Sequence, residues 1–213
     1  MFRAEAKVHV RYPPEAFQQE ARAVAFTTTQ ANALTATQLG SLTTTAANKL
    51  STTQFGALST TQVQGLTTTQ LNALTTANLD AIVASKLSTA QAAGLTTTSI
   101  SNLTTTQVGA LTAGQVGALS AAQVSTLTTT ELAALTSAQA GALTSGQIAG
   151  LTTTKFASLT ETTGIPGLST AAIAGISTAD IAALTTTQGN QFTTTQIAAM
   201  SADQLSALVD LVT

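Results

Sequence analysis

The side chains that could do chemistry are few and scattered. His9 is the only histidine, cysteine is absent, and beyond residue 25 the carboxylates Asp80, Glu131, Glu161, Asp180, Asp203 and Asp210 stand singly along the chain. A Ser-His-Asp relay needs a histidine held between a hydroxyl and a carboxylate. A calcium site needs several oxygen ligands drawn from one short loop. Neither pattern is present, and without cysteine there is no thiolate nucleophile, disulfide or thiolate metal site. The glycines follow no phosphate-binding spacing, and Lys49, Lys86 and Lys155 are isolated surface charges. The sequence therefore points away from an enzyme: no catalytic residue, no cofactor and no metal are expected.

Hydroxyl groups, by contrast, are abundant and regular. Runs at 67–69, 96–98, 104–106 and 185–187 are all threonine. Two uses suit such an array. One is O-linked glycosylation, which would solubilise a surface with little charge; the other is an ordered lattice that contacts ice or a polysaccharide. The candidate positions are Thr68, Thr69, Thr97, Thr98, Thr105, Thr106, Thr186 and Thr187. Asn102-Leu103-Thr104 is a lone N-glycosylation sequon.

The lattice comes from an internal repeat. From Phe26 the chain falls into eight-residue units such as LTTTQVGA at 103–110 and LTAGQVGA at 111–118, twenty-one of them in all. Two irregular units interrupt them, one of five residues at 82–86 and one of nine at 159–167, and the partial unit LVDLVT closes the chain. The segment ETTGIPG at 161–167, with Gly164 and Pro166, reads as a corner that shifts the register. Position 1 is Leu except at Phe26, Ile176, Phe192 and Met200; position 2 is always Thr or Ser; position 5 is Gln or Glu in fifteen of the twenty-one units. Position 6 is usually apolar, and position 8 is usually Ala or Gly.

Thr or Ser followed three residues later by Gln or Glu is the capping-box spacing, in which the two side chains satisfy each other's free backbone N–H groups at a helix start. Apolar residues at position 6 and at the next position 1 then share one helical face. Each unit reads as one to two helical turns and a sharp corner, so the expected fold is an all-α solenoid of short capped helices. One continuous helix fits poorly, because eight residues make about 2.2 turns and the Leu column would drift around the axis. A β-solenoid stays open as the alternative, since Thr, Val and Ile favour strands. Short isolated helices do not persist in water, so stability must come from stacking, with positions 1 and 6 inside, position 8 allowing close approach and positions 3 and 4 in solvent.

Residues 1–25 are different. They hold the only His, the only Tyr and two of the three Pro. Residues 6–12 alternate as a strand with Lys7, His9 and Arg11 on one face, and residues 15–25 read as an amphipathic helix after Pro13-Pro14. The segment is expected either to cap the first coil, as terminal repeats do, or to dock on a neighbouring subunit. The C-terminal SALVDLVT stays apolar without a polar cap. The candidate junction residues are therefore Val8, Val10, Tyr12 and Phe17 at one end and Leu208, Leu211 and Val212 at the other.

Charge is low. Charged residues make up 8% of the chain, with seven Lys and Arg against nine Asp and Glu, where about a quarter is usual. That excludes the basic footprint of nucleic-acid binding. No apolar run is long enough for a membrane span. The first residues lack the apolar core of a standard secretory signal; retention inside the cell, an unrelated export route and prior processing all stay open.

The run LTTTQVGALTAGQVGALSAAQV resembles the Thr/Gln octapeptide tracts of adhesin-like and haemagglutinin-like surface proteins of proteobacteria, over residues 26–207. The resemblance implies a structural role at the cell surface or outside the cell and carries no catalytic residues. Together with the repeat, the uncapped end and the low charge, it leads to an expected subunit of a head-to-tail extracellular fibre whose partner is itself. The alternatives are a monomeric module whose Thr lattice contacts ice or polysaccharide, and a passive spacer within an adhesin.

Overall fold

The structure, a computed structural model, describes residues 26–213. The strand and helix expected within residues 1–25, and the junction candidates Val8, Val10, Tyr12 and Phe17, lie outside the described residues. Among the described residues there are twenty-one short α-helices, one 3-10 helix and no strand. The described residues form an all-α solenoid, and the β alternative does not apply to this region.

The local chemistry makes each helix. At Thr112 the backbone is extended (φ −71°, ψ 157°), and its hydroxyl accepts the Gln115 N–H at 3.2 Å while Gln115 Oε1 accepts the Thr112 N–H at 2.7 Å. The helix Ala113–Ala118 follows, and Leu119 leaves it in an extended conformation (φ −64°, ψ 146°). Two successive extended residues, at positions 1 and 2, make the corner. The same reciprocal cap recurs from Thr27 with Gln30 to Ser201 with Gln204. Where position 5 cannot reciprocate, the hydroxyl half survives, as at Thr43 over Ala46 and Ser169 over Ala172.

Each helix packs against the helix three units farther along: Ala113–Ala118 lies between Thr89–Ala93 and Ser137–Ala142. Three units therefore make one coil, and the twenty-four units make eight coils. Both irregular units fill one side of a coil. The five-residue unit forms the 3-10 helix Ala84–Lys86, packed between Thr60–Gly65 and Thr105–Ala110. In the nine-residue unit, Ile165 is fully buried and Thr163 Oγ1 donates to the Leu135 carbonyl three units earlier at 3.1 Å. The register shift expected from ETTGIPG is thus not seen. The extra residue is taken up in turns within that side, and the three-sided register runs through it.

Positions 1 and 6 line one continuous core. Leu87, Leu111 and Leu119, with Val116, Val124 and Leu132, are all at least nine-tenths buried, and Ile82 and Ile165 take the same place in the irregular units. At about 2 kcal/mol for each buried Leu, this stripe supplies the stability that single turns lack. The coils meet where position 8 of one unit sits over position 3 of the unit three earlier. A Cβ added to Gly150 would lie 3.2 Å from Ala121 Cβ, and one added to Gly175 only 2.0 Å from the Ser145 carbonyl oxygen. The last helix, Ala202–Val212, runs past the place where a corner would fall and lays Leu208, Leu211 and Val212 over Gly189.

Candidate functional site: the glutamine ladder and its open rungs

The capping glutamines do a second thing. Their Oε1 serves the cap within the unit, which leaves Nε2 aimed at the coil beneath. Gln115 Nε2 donates to the Leu87 carbonyl at 2.6 Å and to the Ala84 carbonyl at 3.0 Å. Gln147 repeats this with Leu119 at 2.6 Å and Val116 at 2.9 Å, and Gln204 with Ile176 at 2.6 Å and Ile173 at 2.8 Å. The acceptors are the corner residue three units earlier and, just before it, the position-6 residue or, in the five-residue unit, Ala84. These are helix-terminal carbonyls, which need a partner from outside the helix. The buried glutamines from Gln54 to Gln204 all reach a corner carbonyl in this way, across both irregular units, and their side chains are 2–8% exposed.

Other residues interrupt the ladder. Lys155 donates its ammonium to the Ser125 carbonyl, and Asn78 reaches the Asn48 carbonyl at 3.4 Å. Ser99 hands the task to Asn72, whose Oδ1 accepts both the Ser99 hydroxyl and the Thr96 N–H while its amide donates to the Gly94 carbonyl. Glu131 and Asp180 are buried carboxylates that keep only the cap, accepting from Thr128 and Ser177. A carboxylate is acceptor-only, so neither can clip the coil beneath.

Two rungs are open. Gln30 and Gln38, on the first coil, cap their helices, but their Nε2 groups have no acceptor among the described residues. On the last coil the corner carbonyls of Phe192 and Met200 have no donor among the described residues, while the side chains are 5% and 8% exposed. Of the junction candidates, Leu208 is buried and Leu211 and Val212 are half-buried against the core, whereas the neighbouring Val209 is 54% exposed.

The threonine candidates lie mainly in solvent. Thr69, Thr97, Thr98, Thr105, Thr106, Thr186 and Thr187 are exposed and Thr68 is half-buried; Thr186 Oγ1 donates to the Leu211 carbonyl at 3.3 Å. One column stands out. The helices Thr105–Ala110, Thr129–Ala133 and Thr153–Phe156 stack on one side of three successive coils, and residues 104–106, 128–130 and 152–154 are nine exposed threonines.

Among the described residues no cluster of His, Asp and Glu is placed to hold a metal ion, and no helix is long and apolar enough to cross a membrane. Among the described residues Asp80 is the one carboxylate with a clear shift: burial raises its pKa above the ordinary aspartate value of 3.8, and its Oδ1 is buried without a hydrogen-bond partner.

Comparison with known proteins matches residues 47–82 and 121–153 to a repeat family described as ALTTAQ repeat. Both stretches lie within the ladder, and the match carries no adhesin or haemagglutinin assignment. No curated protein and no solved structure matches the chain. The protein is a helical repeat protein, similar over these two stretches to the ALTTAQ repeat.

Proposed function

We propose that this chain is a structural subunit that joins copies of itself head to tail into a fibre, at the cell surface or outside the cell. The observation that carries the reading lies at the first and last described coils: among the described residues, the amides of Gln30 and Gln38 on the first have no acceptor and the corner carbonyls of Phe192 and Met200 on the last have no donor. A heterologous contact that does not close on itself propagates as a filament. A chain that is 8% charged offers little electrostatic resistance to such association. The extracellular placement rests on the resemblance to surface-protein repeat tracts and on the hydroxyl-rich exterior.

Negative-stain electron microscopy of the purified full chain tests it. Fibres of uniform width are expected, with an intact mass above 21.3 kDa if the threonines carry sugars. Isolated short rods over a wide concentration range would reject the fibre. The column of nine exposed threonines favours a second reading, a monomeric module whose hydroxyl face contacts polysaccharide or ice. That reading requires loss of binding when the six threonines at 105, 106, 129, 130, 153 and 154 become glutamate.

A further inference from the structure

We infer that the occupant of both open ends is a second copy of this chain, docked in the register that continues the glutamine ladder. Gln30 and Gln38 of one copy donate their Nε2 groups to the Phe192 and Met200 carbonyls of the next. The inference rests on the fibre reading and names its junction.

The internal rule leaves little freedom. Each glutamine with a described coil beneath it clips the corner three units earlier. If a second copy supplied the coil under Phe26, the unit of Gln30 would fall over Phe192 and that of Gln38 over Met200. The third side matches as well. There the first coil has Ala46, which has no donor, and the last coil has Leu208, which sits inside the helix Ala202–Val212 and forms no corner. Two donors meet two acceptors, and the side that lacks a donor faces the side that lacks a corner. The first and last described coils therefore carry the two halves of the contact that already joins the coils between them.

Close approach is also provided for. Internally, position 8 rests on position 3 three units earlier, as Gly150 rests on Ala121. Across the junction the same rule sets Ser41 over Ala202 and Ala33 over Thr194, small or short side chains that are exposed in the single chain. Donors at one end and acceptors at the other make the contact heterologous, so each addition recreates the site it fills.

The test is the full chain carrying Ser41→Cys and Ala202→Cys. There is no native cysteine, and the two positions lie on the first and last coils, so any disulfide between them joins two molecules. The equivalent internal pair, Ala121→Cys with Gly150→Cys, is the control, its 3.2 Å spacing being near the Cβ separation of about 3.5–4.5 Å that a disulfide spans. Mild oxidation with microscopy of the same sample is expected to give fibres and, on a non-reducing gel, a ladder of covalent multimers. Either single variant should give no more than traces of dimer. Fibres without the ladder of multimers would overturn the register while leaving the fibre reading intact. Neither fibres nor multimers would remove both. In the cysteine-free chain, Gln30→Leu with Gln38→Leu should raise the critical concentration for assembly roughly tenfold or more; an unchanged value would also overturn the register.

Discussion

Gln115 and Leu87 are 28 residues apart, and the side-chain amide of one holds the backbone carbonyl of the other at 2.6 Å. The same glutamine caps its own helix through Oε1, so one side chain starts a helix and fastens it to the coil below. In a β-solenoid the backbone itself joins neighbouring rungs. Here the backbone is spent within short helices, and the amide of a capping residue takes over that role. The fold rests on this one interaction, and the proposed fibre would repeat it between chains.

Where a carboxylate replaces the amide, the clip is lost. Glu131 is 5% exposed and keeps its cap, but has no donor for the coil beneath. Glu131→Gln is expected to stabilise the chain by about 1 kcal/mol, the net worth of a typical hydrogen bond. A rise in the urea midpoint at unchanged slope is the measurement; no rise would mean that the Glu131 rung is already satisfied.

Asp80 sets a pH dependence. Burial raises its folded pKa above 3.8, so the folded chain holds the proton more tightly than the unfolded one. Its contribution is most favourable below 3.8 and is lost as pH rises through the folded value. Asp80→Asn should therefore raise the melting temperature at pH 7 and give no gain near pH 3. An equal gain at both would show that the carboxylate charge is not the cause.

Glycines at the coil contact and on the exposed helix face should respond oppositely to an added methyl. Gly175→Ala would put a methyl 2.0 Å from the Ser145 carbonyl oxygen and should cost about 1–3 kcal/mol by overpacking. Gly109, within the helix Thr105–Ala110, has open space around the added methyl. Gly109→Ala should gain about 0.5–1 kcal/mol through helix propensity. Denaturation midpoints that move in the same direction for both would contradict the packing of position 8 over position 3.

Much of this could be read from the sequence. The spacing of Thr112 and Gln115 marks the cap, and positions 1 and 6, as at Leu119 and Val124, mark the core. The number of units per coil could not, because near-identical units carry nothing that tells a neighbour three units away from one two or four away. The clip was hidden because the capping box already accounts for a polar residue at position 5. Yet a signal was there: among the twenty-one octads Gln occupies position 5 fourteen times and Glu once. A carboxylate closes the capping box equally well and suits a helix N-terminus better. The preference for the amide marks the need for a donor. The irregular units misled through their length; Thr163 and Ile165 show that a nine-residue unit fills a side as an octad does.

The most direct test of the ladder is the urea stability of Gln115→Glu set beside Gln30→Glu. Each keeps an acceptor for the cap, at Thr112 and Thr27, and each removes the Nε2 donor. Gln115 clips a coil, and Gln30 on the first coil clips none among the described residues. Measured on unassembled protein at pH 7, Gln115→Glu should lose about 1–3 kcal/mol, the cost of leaving buried carbonyls unpaired, while Gln30→Glu stays within about 0.5 kcal/mol of the parent. Equal effects at the two positions, whether both large or both negligible, would contradict the claim that glutamine amides hold the coils together.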